Sequence, residues 1–384
     1  MTASTVRADV VGSLLRPEYL REARDAARAG NLEDAELHAL EDKAVLEAIA
    51  LQESAGIQAI TDGEFRRTGW IAFIPMVDDP LFEAPVSGFE FLNSASGWRG
   101  LWKTGEGDPA DTSALPPEEP FVTRKLQVQR DIVGDEYSFL KARAKARAKY
   151  TIPAPSWSRI FWHPEHSADA YPTSDDFIED IARLTREHIV DRLVELGCDY
   201  VQLDAPNYAQ WHIDPGNRAV FEEHGHDMAH ELRVDAELDN LVFEGLAGVT
   251  RAMHMCRGNA PGGMWAATGG YEVISGEVFP RLTNLDRLLL EYDTDRAGGF
   301  APLADVLPQH EVVLGLVTTK DGTPEHAADV VARIEEAAEH VPLERLAVSP
   351  QCGFASGEIA RTMTLDEQEA KLRLVGEVAR RVWG

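Results

Sequence analysis

Short apolar runs, each closed by a polar corner and followed by an amphipathic stretch, recur from one end of this 384-residue chain to the other. Val10-Val11 runs into Gly12-Ser13. Leu37, Leu40, Val45, Ile49 and Leu51 then fall on one face of a helix expected over about 32–53. Ile57–Ile60 follows and ends at Asp62-Gly63-Glu64. Further strands are expected at Phe121–Val128, Tyr150–Ile152, Asp199–Asp204, Val249–His254, Leu288–Tyr292, Val312–Val317 and Leu346–Ser349. Ser174 is expected to cap a helix bearing Phe177, Ile181, Leu184, Ile189, Leu193 and Leu196. Other helices are expected near Asp235–Leu246, Ala327–Glu339 and Leu365–Val382. Strand alternating with helix implies a parallel sheet in an α/β fold. Roughly eight such units, with no glycine-rich dinucleotide fingerprint after the first strand, predict a single closed (β/α)8 TIM barrel over residues 1–384. The stretch 65–120 holds Pro, Gly, Asp and Trp without helical periodicity. It is read as an insertion or lid after the second strand.

Acidic residues outnumber basic ones, and the net charge is −28. Nucleic acid and anionic membranes need a basic patch, so both are poor partners. No run approaches the ~18 apolar residues of a membrane helix. Met1 to Asp9 has no apolar signal core. Three cysteines, Cys198, Cys256 and Cys352, are too few for a disulfide framework, which fits a reducing cytoplasm. An anionic substrate would depend on local cations, for which Arg16, Arg66, Arg67, Arg124, Lys125, Arg159 and Lys320 are the candidates.

Unusual polar residues gather where each strand ends: Ser13, Glu64, Asp204, His254, Cys256, Glu291, Lys320 and Cys352. In a (β/α)8 barrel those ends converge on the face that carries the active site. His254-Met255-Cys256 is the sharpest element. Residues two apart on a strand point the same way, so imidazole and thiol both face the barrel axis. One His and two Cys suit Zn²⁺, and a carboxylate such as Glu291 can supply the fourth bond. Taken singly, a His-x-Cys pair, a turn cysteine before Gly353 and an acidic loop after Glu291 are ordinary structural features. Their convergence is what points to a metal. Cys198, at a helix end, is read as core.

At these positions the chain resembles the cobalamin-independent methionine synthase family. The resemblance rests on Val11-Gly12-Ser13, Asp62-Gly63-Glu64, Gln202-Leu203-Asp204-x-Pro206, His254-x-Cys256, Leu290-Glu291 and Ser349-Pro350-Gln351-Cys352-Gly353. The stretch from His254 to Asn259, with Trp265, Gly269-Gly270-Tyr271 and Leu316 to Lys320, looks like the short single-barrel members. Those include core methionine synthases and zinc-dependent epoxyalkane:coenzyme M transferases. The resemblance implies that His254, Cys256, Glu291 and Cys352 hold Zn²⁺. It implies that Glu64 and Asp204 hold the amino group of homocysteine, and that Gly12-Ser13 meets its carboxylate. Two departures stand out. Lys320 replaces a histidine credited with proton transfer, and Asp204-Ala205-Pro206 replaces Asp-Glu-Pro.

The expected activity is zinc-dependent methyl or alkyl transfer within methionine biosynthesis. A small-molecule thiol would be the acceptor, and a donor such as 5-methyltetrahydrofolate would supply the carbon. Glu291 is the ligand expected to move, and Lys320, His163, His166 or His212 would protonate the departing group. Arg257 could hold an anionic group or pair with a carboxylate. Trp157 and Trp162 could stack on a flat ring or lie in the core. A homo-oligomer is possible. Competing readings are epoxyalkane:coenzyme M-type alkylation of another thiol, a glycoside hydrolase built on Glu64, Asp204 and Glu291, and a non-catalytic binding barrel.

Overall fold

The computed structural model describes residues 6–67, 69–70, 81, 84–93, 118–259, 265–357 and 362–384. Six parallel strands lie side by side: Leu346–Pro350, Glu311–Val317, Arg287–Glu291, Thr250–Met255, Tyr200–Asp204 and Tyr150–Pro153. Two more backbone segments close the ring. Arg147–Ala148, continuous with Tyr150–Pro153, pairs in parallel with Ala59–Ile60. The Gln58 N–H donates to Ala8 O at 2.9 Å, and Asp9 N–H donates to Val348 O at 3.0 Å. The N-terminal segment therefore seals the first strand to the last, and the expected parallel barrel is present. Closure pairs the edge strands of the barrel sheet with one another among the described residues.

The strands alternate as a barrel wall must. One set of side chains meets inside: Val6, Ala59, Tyr200, Ala252, Leu289, Val313 and Ala347 form their own buried cluster. The opposite set packs against the helices, among them Asp34–Ala55, Met228–Leu241, Ala327–Ala337 and Leu365–Trp383. Next to the small apolar cluster lies a charged layer. Lys149 Nζ donates to Asp9 Oδ1 and Gln202 Oε1, each at 2.9 Å. Tyr200 Oη donates to Asp9 Oδ2 at 2.6 Å, and Arg287 Nε lies 3.3 Å from the same oxygen. All five groups are buried, and each charge has a partner, which burial demands.

Several expectations are corrected in detail. The strand expected at Phe121–Val128 exists as Glu118–Val128 but is not a barrel stave. It pairs antiparallel with Val86–Asn93 in a separate two-stranded sheet. Phe89 of that sheet packs edge-on against Phe161 and Phe177, with ring centroids 6.1 and 6.3 Å apart, which docks it on the helical segments outside the barrel wall. Most of the remaining 65–120 stretch lies outside the described residues. The helix expected near Asp235–Leu246 runs instead over Met228–Leu241, because the Asp227 side chain caps it by accepting from His230 N. Thr173, not Ser174, caps Ser174–Leu184. Its hydroxyl accepts from Asp176 N while the Asp176 carboxylate accepts in return from Thr173 N. After Arg287–Glu291 the chain makes only short turns, Asp295–Ala297 and Ala301–Asp305, where strict alternation would place an α-helix. Among the described residues no helix is long and apolar enough to cross a membrane.

Candidate metal centre

Strand Thr250–Met255 sends His254 and, one step past its end, Cys256 into the barrel, with Met255 turned into the surrounding core. Cys352 arrives from the turn that follows Leu346–Pro350. One ligand atom from each of His254, Cys256 and Cys352 lies within 4.8 Å of the other two. All three residues are buried, and the two sulfurs stand 3.5 Å apart as free thiols. His254 Nδ1 faces Leu289 O at 3.2 Å. A carbonyl only accepts, so Nδ1 carries the proton and Nε2 presents its lone pair. That Nε2 is buried and has no hydrogen-bond partner.

Glu291 lies at the end of the neighbouring strand and is fully buried. Its Oε2 accepts from Arg257 N at 2.8 Å, while Oε1 is buried and unpartnered. The carboxylate stands outside the mutual 4.8 Å group, although its charge acts on both His254 and Cys256. A buried polar atom without a partner costs roughly 1–3 kcal/mol. Two such atoms, one on His254 and one on Glu291, beside two sulfurs make the donor set of a borderline-soft cation. The residues fit Zn²⁺.

The three side chains shift one another's protonation in opposite directions. The hydrogen bond shared with Cys256, with help from His254, holds the Cys352 thiol well below its ordinary range. The same shared hydrogen bond, reinforced by burial, pushes Cys256 up. Burial works against ionisation of His254, but the adjoining Cys352 sulfur and the Asp204 and Glu291 charges outweigh it and raise its pKa.

Glu64 and Asp204 lie beside this group. Glu64 adopts φ 60°, unusual for a residue with a side chain, and Asp62 Oδ1 accepts from its N–H at 2.9 Å. Its Oε1 accepts from the Thr151 hydroxyl at 2.8 Å, and its buried Oε2 has no partner. Gly12 explains itself here: a Cβ on it would sit 2.4 Å from Glu64 Oε1. Gly353 is equally constrained, since a Cβ there would meet Ser13 Oγ at 2.1 Å. Phe354 N–H donates to Ser13 O at 2.9 Å, so the first and last strand ends are stitched together. Asp204 Oδ1 accepts from Gln202 Nε2 at 2.6 Å, and burial pushes its carboxyl up to about 7, against the pull of His254 and with the Glu64 charge adding to the rise. Glu64, Asp204 and His254 thus feel one another across one space.

Lys320 is buried at the rim. Its Nζ donates to Gly258 O at 3.0 Å and to Asn259 Oδ1, and it lies 5.9 Å from the Trp265 ring centroid. Asn259 Nδ2 in turn donates to Cys352 Sγ at 3.4 Å. Asn259 carried no signal of its own in the sequence beyond its place in the His254–Asn259 stretch. Among the described residues the Arg257 guanidinium forms no ion pair with a carboxylate. Its guanidinium donates to Gly269 O, Glu291 O and Ala297 O, so it ties three loops together through backbone carbonyls.

The other candidates lie away from the centre or are already engaged. Arg16 donates to Glu64 O, Arg67 O and Ala355 O. Arg67 pairs with Glu136, Arg66 with Asp42, Arg124 with Glu90, and Arg159 with Asp235 and Asp175. Lys125 sits over the Tyr171 ring. Trp157 is a core residue stacked edge-on with Trp70 at 4.8 Å, and Trp162 Nε1 donates to Tyr171 O. Cys198 is buried as expected. His212 is buried as well, and burial, with Arg218 and Arg159 next, drives its pKa down to about 3. His163, Glu165 and His166 make a second group of ligand-type side chains. There His163 Nδ1 accepts from Glu165 N at 3.2 Å, so that ring nitrogen is already engaged.

No family model matches the chain. It is 35% identical over 380 residues to the uncharacterized protein YxjH of Bacillus subtilis (strain 168), covering 98% of this chain and 94% of that one. A methionine synthase of Saccharolobus solfataricus is 23% identical over 356 residues, covering 90% and 87%. Among solved structures, a candidate vitamin-B12 independent methionine synthase of Listeria monocytogenes superposes at TM-score 0.72 with 28% identity and full coverage of both chains. A B12-independent methionine synthase of Shewanella sp. W3-18-1, solved with selenomethionine, superposes at 0.70 with 19% identity over 98% of each chain and shares the fold. With a buried His-Cys-Cys group at the mouth of a closed parallel barrel and whole-chain relatives of this kind, the chain belongs to the cobalamin-independent methionine synthase-like family of single-barrel proteins.

Proposed function

We propose that the protein is a zinc-dependent transferase that moves a methyl or small alkyl group onto the sulfur of an amino-thiol such as homocysteine. The observation that carries the reading is the pairing of two sites. His254 Nε2 and Glu291 Oε1 are buried without partners beside two sulfurs, and the carboxylates of Glu64 and Asp204 stand across from them. A Zn²⁺ held by His254, Cys256, Cys352 and Glu291 would keep a substrate thiol deprotonated at neutral pH, where a free thiol of pKa ~8.5 is only a few per cent ionised.

The chain's own residues do the rest. Glu64 Oε2 has no partner in the protein and accepts from a substrate ammonium, with Asp204 completing the pair. The Gly12-Ser13 backbone, packed against Gly353, receives the substrate carboxylate. Glu291 is bonded through one oxygen only, to Arg257 N, which leaves the other free to engage or withdraw as the substrate sulfur arrives. Lys320 brings positive charge to the rim where an anionic leaving group or donor approaches. 5-Methyltetrahydrofolate is the donor this reading favours. An epoxide or other small electrophile, with a different thiol, is the competing pair, because Lys320 stands where the family's proton-transferring histidine is expected.

Metal analysis tests the site. The purified protein is expected to hold near one equivalent of zinc, and Cys256→Ser and Cys352→Ser to hold far less. Absence of zinc from the unaltered protein, or full retention by both variants, refutes the assignment. A panel of thiols assayed for zinc-dependent consumption of an electrophile then separates homocysteine from sulfonate thiols.

A further inference from the structure

We propose that Asn259, held in one orientation by Lys320, protects Cys352 from being alkylated in place of the substrate thiol. The inference rests on the thiol-alkylation reading above. An alkylating site built on cysteine ligands has a selectivity problem, since its own sulfurs face the same electrophilic carbon as the substrate. If Cys352 attacked, an S–C bond would form, the bond from carbon to the leaving group would break, and the leaving group would depart with the electron pair. The product would be a thioether and a lost thiolate ligand.

Of the two cysteines, Asn259 addresses Cys352. Its Nδ2 lies 3.4 Å from Cys352 Sγ, 3.4 Å from Gly353 O and 2.5 Å from Ser356 Oγ. An amide can present either end, so something must set its direction. Two neighbours do. Gly353 O can only accept, which calls for Nδ2 on that side. Lys320 Nζ can only donate, which calls for Oδ1 on the other, and Nζ is itself anchored by Gly258 O at 3.0 Å. Lys320 therefore acts through Asn259 to aim an N–H at sulfur. Hydrogen bonds to a ligating group tune it without displacing it. A donor on a thiolate draws off charge, so Cys352 remains a ligand but becomes a poorer nucleophile. Among the described residues no amide side chain donates to Cys256, whose partners are the Cys352 sulfur and the Gly258 backbone N–H, and these substitutions leave the latter in place. Cys256 is thus an internal control. Asn259 and Lys320 are positioning residues in this scheme.

The test exposes zinc-loaded protein to iodoacetamide and follows each cysteine by peptide mass spectrometry, with zinc measured in every sample. Asn259→Ala and Lys320→Met are expected to raise the rate at Cys352 about tenfold, the equivalent of ~1.4 kcal/mol or one hydrogen bond. The Cys256 rate should stay within about twofold on the same scale. Lys320→Arg, also a pure donor, should preserve the protection. Unchanged Cys352 rates in both variants overturn the proposal, as does Lys320→Arg behaving like Lys320→Met. An equal rise at both cysteines with zinc loss reports general loosening and also overturns it. An unaltered protein that carries no zinc defeats the underlying metal reading instead, so the two failures are distinct.

Discussion

Substituting Gly12 by alanine should separate substrate binding from folding. The added Cβ would stand 2.4 Å from Glu64 Oε1 and 3.3 Å from the Thr151 side chain. Gly12 is not among the glycines with positive φ, so alanine imposes no backbone strain there. A relaxed contact needs roughly 1 Å more room, and overpacking a tight interior costs ~1–3 kcal/mol when nothing can yield. Here something can yield, because the atom in the way is the tip of the Glu64 side chain. Moving it gives up the 2.8 Å hydrogen bond from Thr151, worth about 1 kcal/mol. Stability should therefore fall by only ~1 kcal/mol. Function should suffer more, because a 1 Å displacement of a positioning group can cost about a hundredfold. Urea denaturation gives the first quantity, and kcat/KM for the amino-thiol acceptor gives the second. Zinc content should stay the same. A Gly12→Ala protein with unchanged acceptor kinetics would refute the role given to Glu64 at this spot, whatever its stability.

Chelator should lower the melting temperature, and added Zn²⁺ should restore it, with ~2.7 kcal/mol of stabilisation at a free metal concentration a hundredfold above Kd. A melting curve indifferent to both treatments would count against a bound ion. Lys149→Met leaves Asp9 buried with Arg287, Tyr200 and the Val10 N–H as partners, and should cost about 3 kcal/mol in urea denaturation, the lower end for a broken buried pair. His212 supplies a pH test. Its folded pKa of about 3 lies below the unfolded value near ~6.5, so its contribution is complete above the unfolded value and is lost as pH falls towards 3. At pH 5 the loss is ~2 kcal/mol. The difference between the stability curves of the unaltered protein and His212→Phe should show this slope, and parallel curves would contradict it.

The staves of the barrel were legible because each is a short apolar run that ends on a polar residue. The same pattern located Asp204, His254 and Glu291 at strand ends, and two-residue alternation brought Cys256 beside His254. Scarcity made Cys352 conspicuous. The hairpin strand Glu118–Val128 misled because a strand's local pattern does not reveal its partner. Its apolar positions suit an antiparallel neighbour as well as a parallel one. Thr173 was within reach of sequence reasoning, since Asp176 three residues on completes a reciprocal cap that Ser174, with Phe177 at that spacing, cannot form. The fates of Arg257 and Lys320 were not legible. Both bond to carbonyl or amide oxygens of loops, and no pattern of residue types announces a backbone acceptor.

The charged layer of Asp9, Lys149, Arg287 and Gln202 has a consequence for traffic. With Tyr200 and the small apolar cluster it packs the barrel's interior on the side away from Asp204 and His254, so among the described residues the axis is filled there. With that side filled, the proposed substrates would reach and leave the two sulfurs by the opposite end of the barrel. In the proposed reaction a thiol seated against Glu64 and Asp204 would lie next to that packed layer, and a bulky carbon donor arriving second would stand above it. The departing remnant of the donor must then clear the opening before the alkylated thiol can follow. Product inhibition patterns would therefore carry the imprint of a queue.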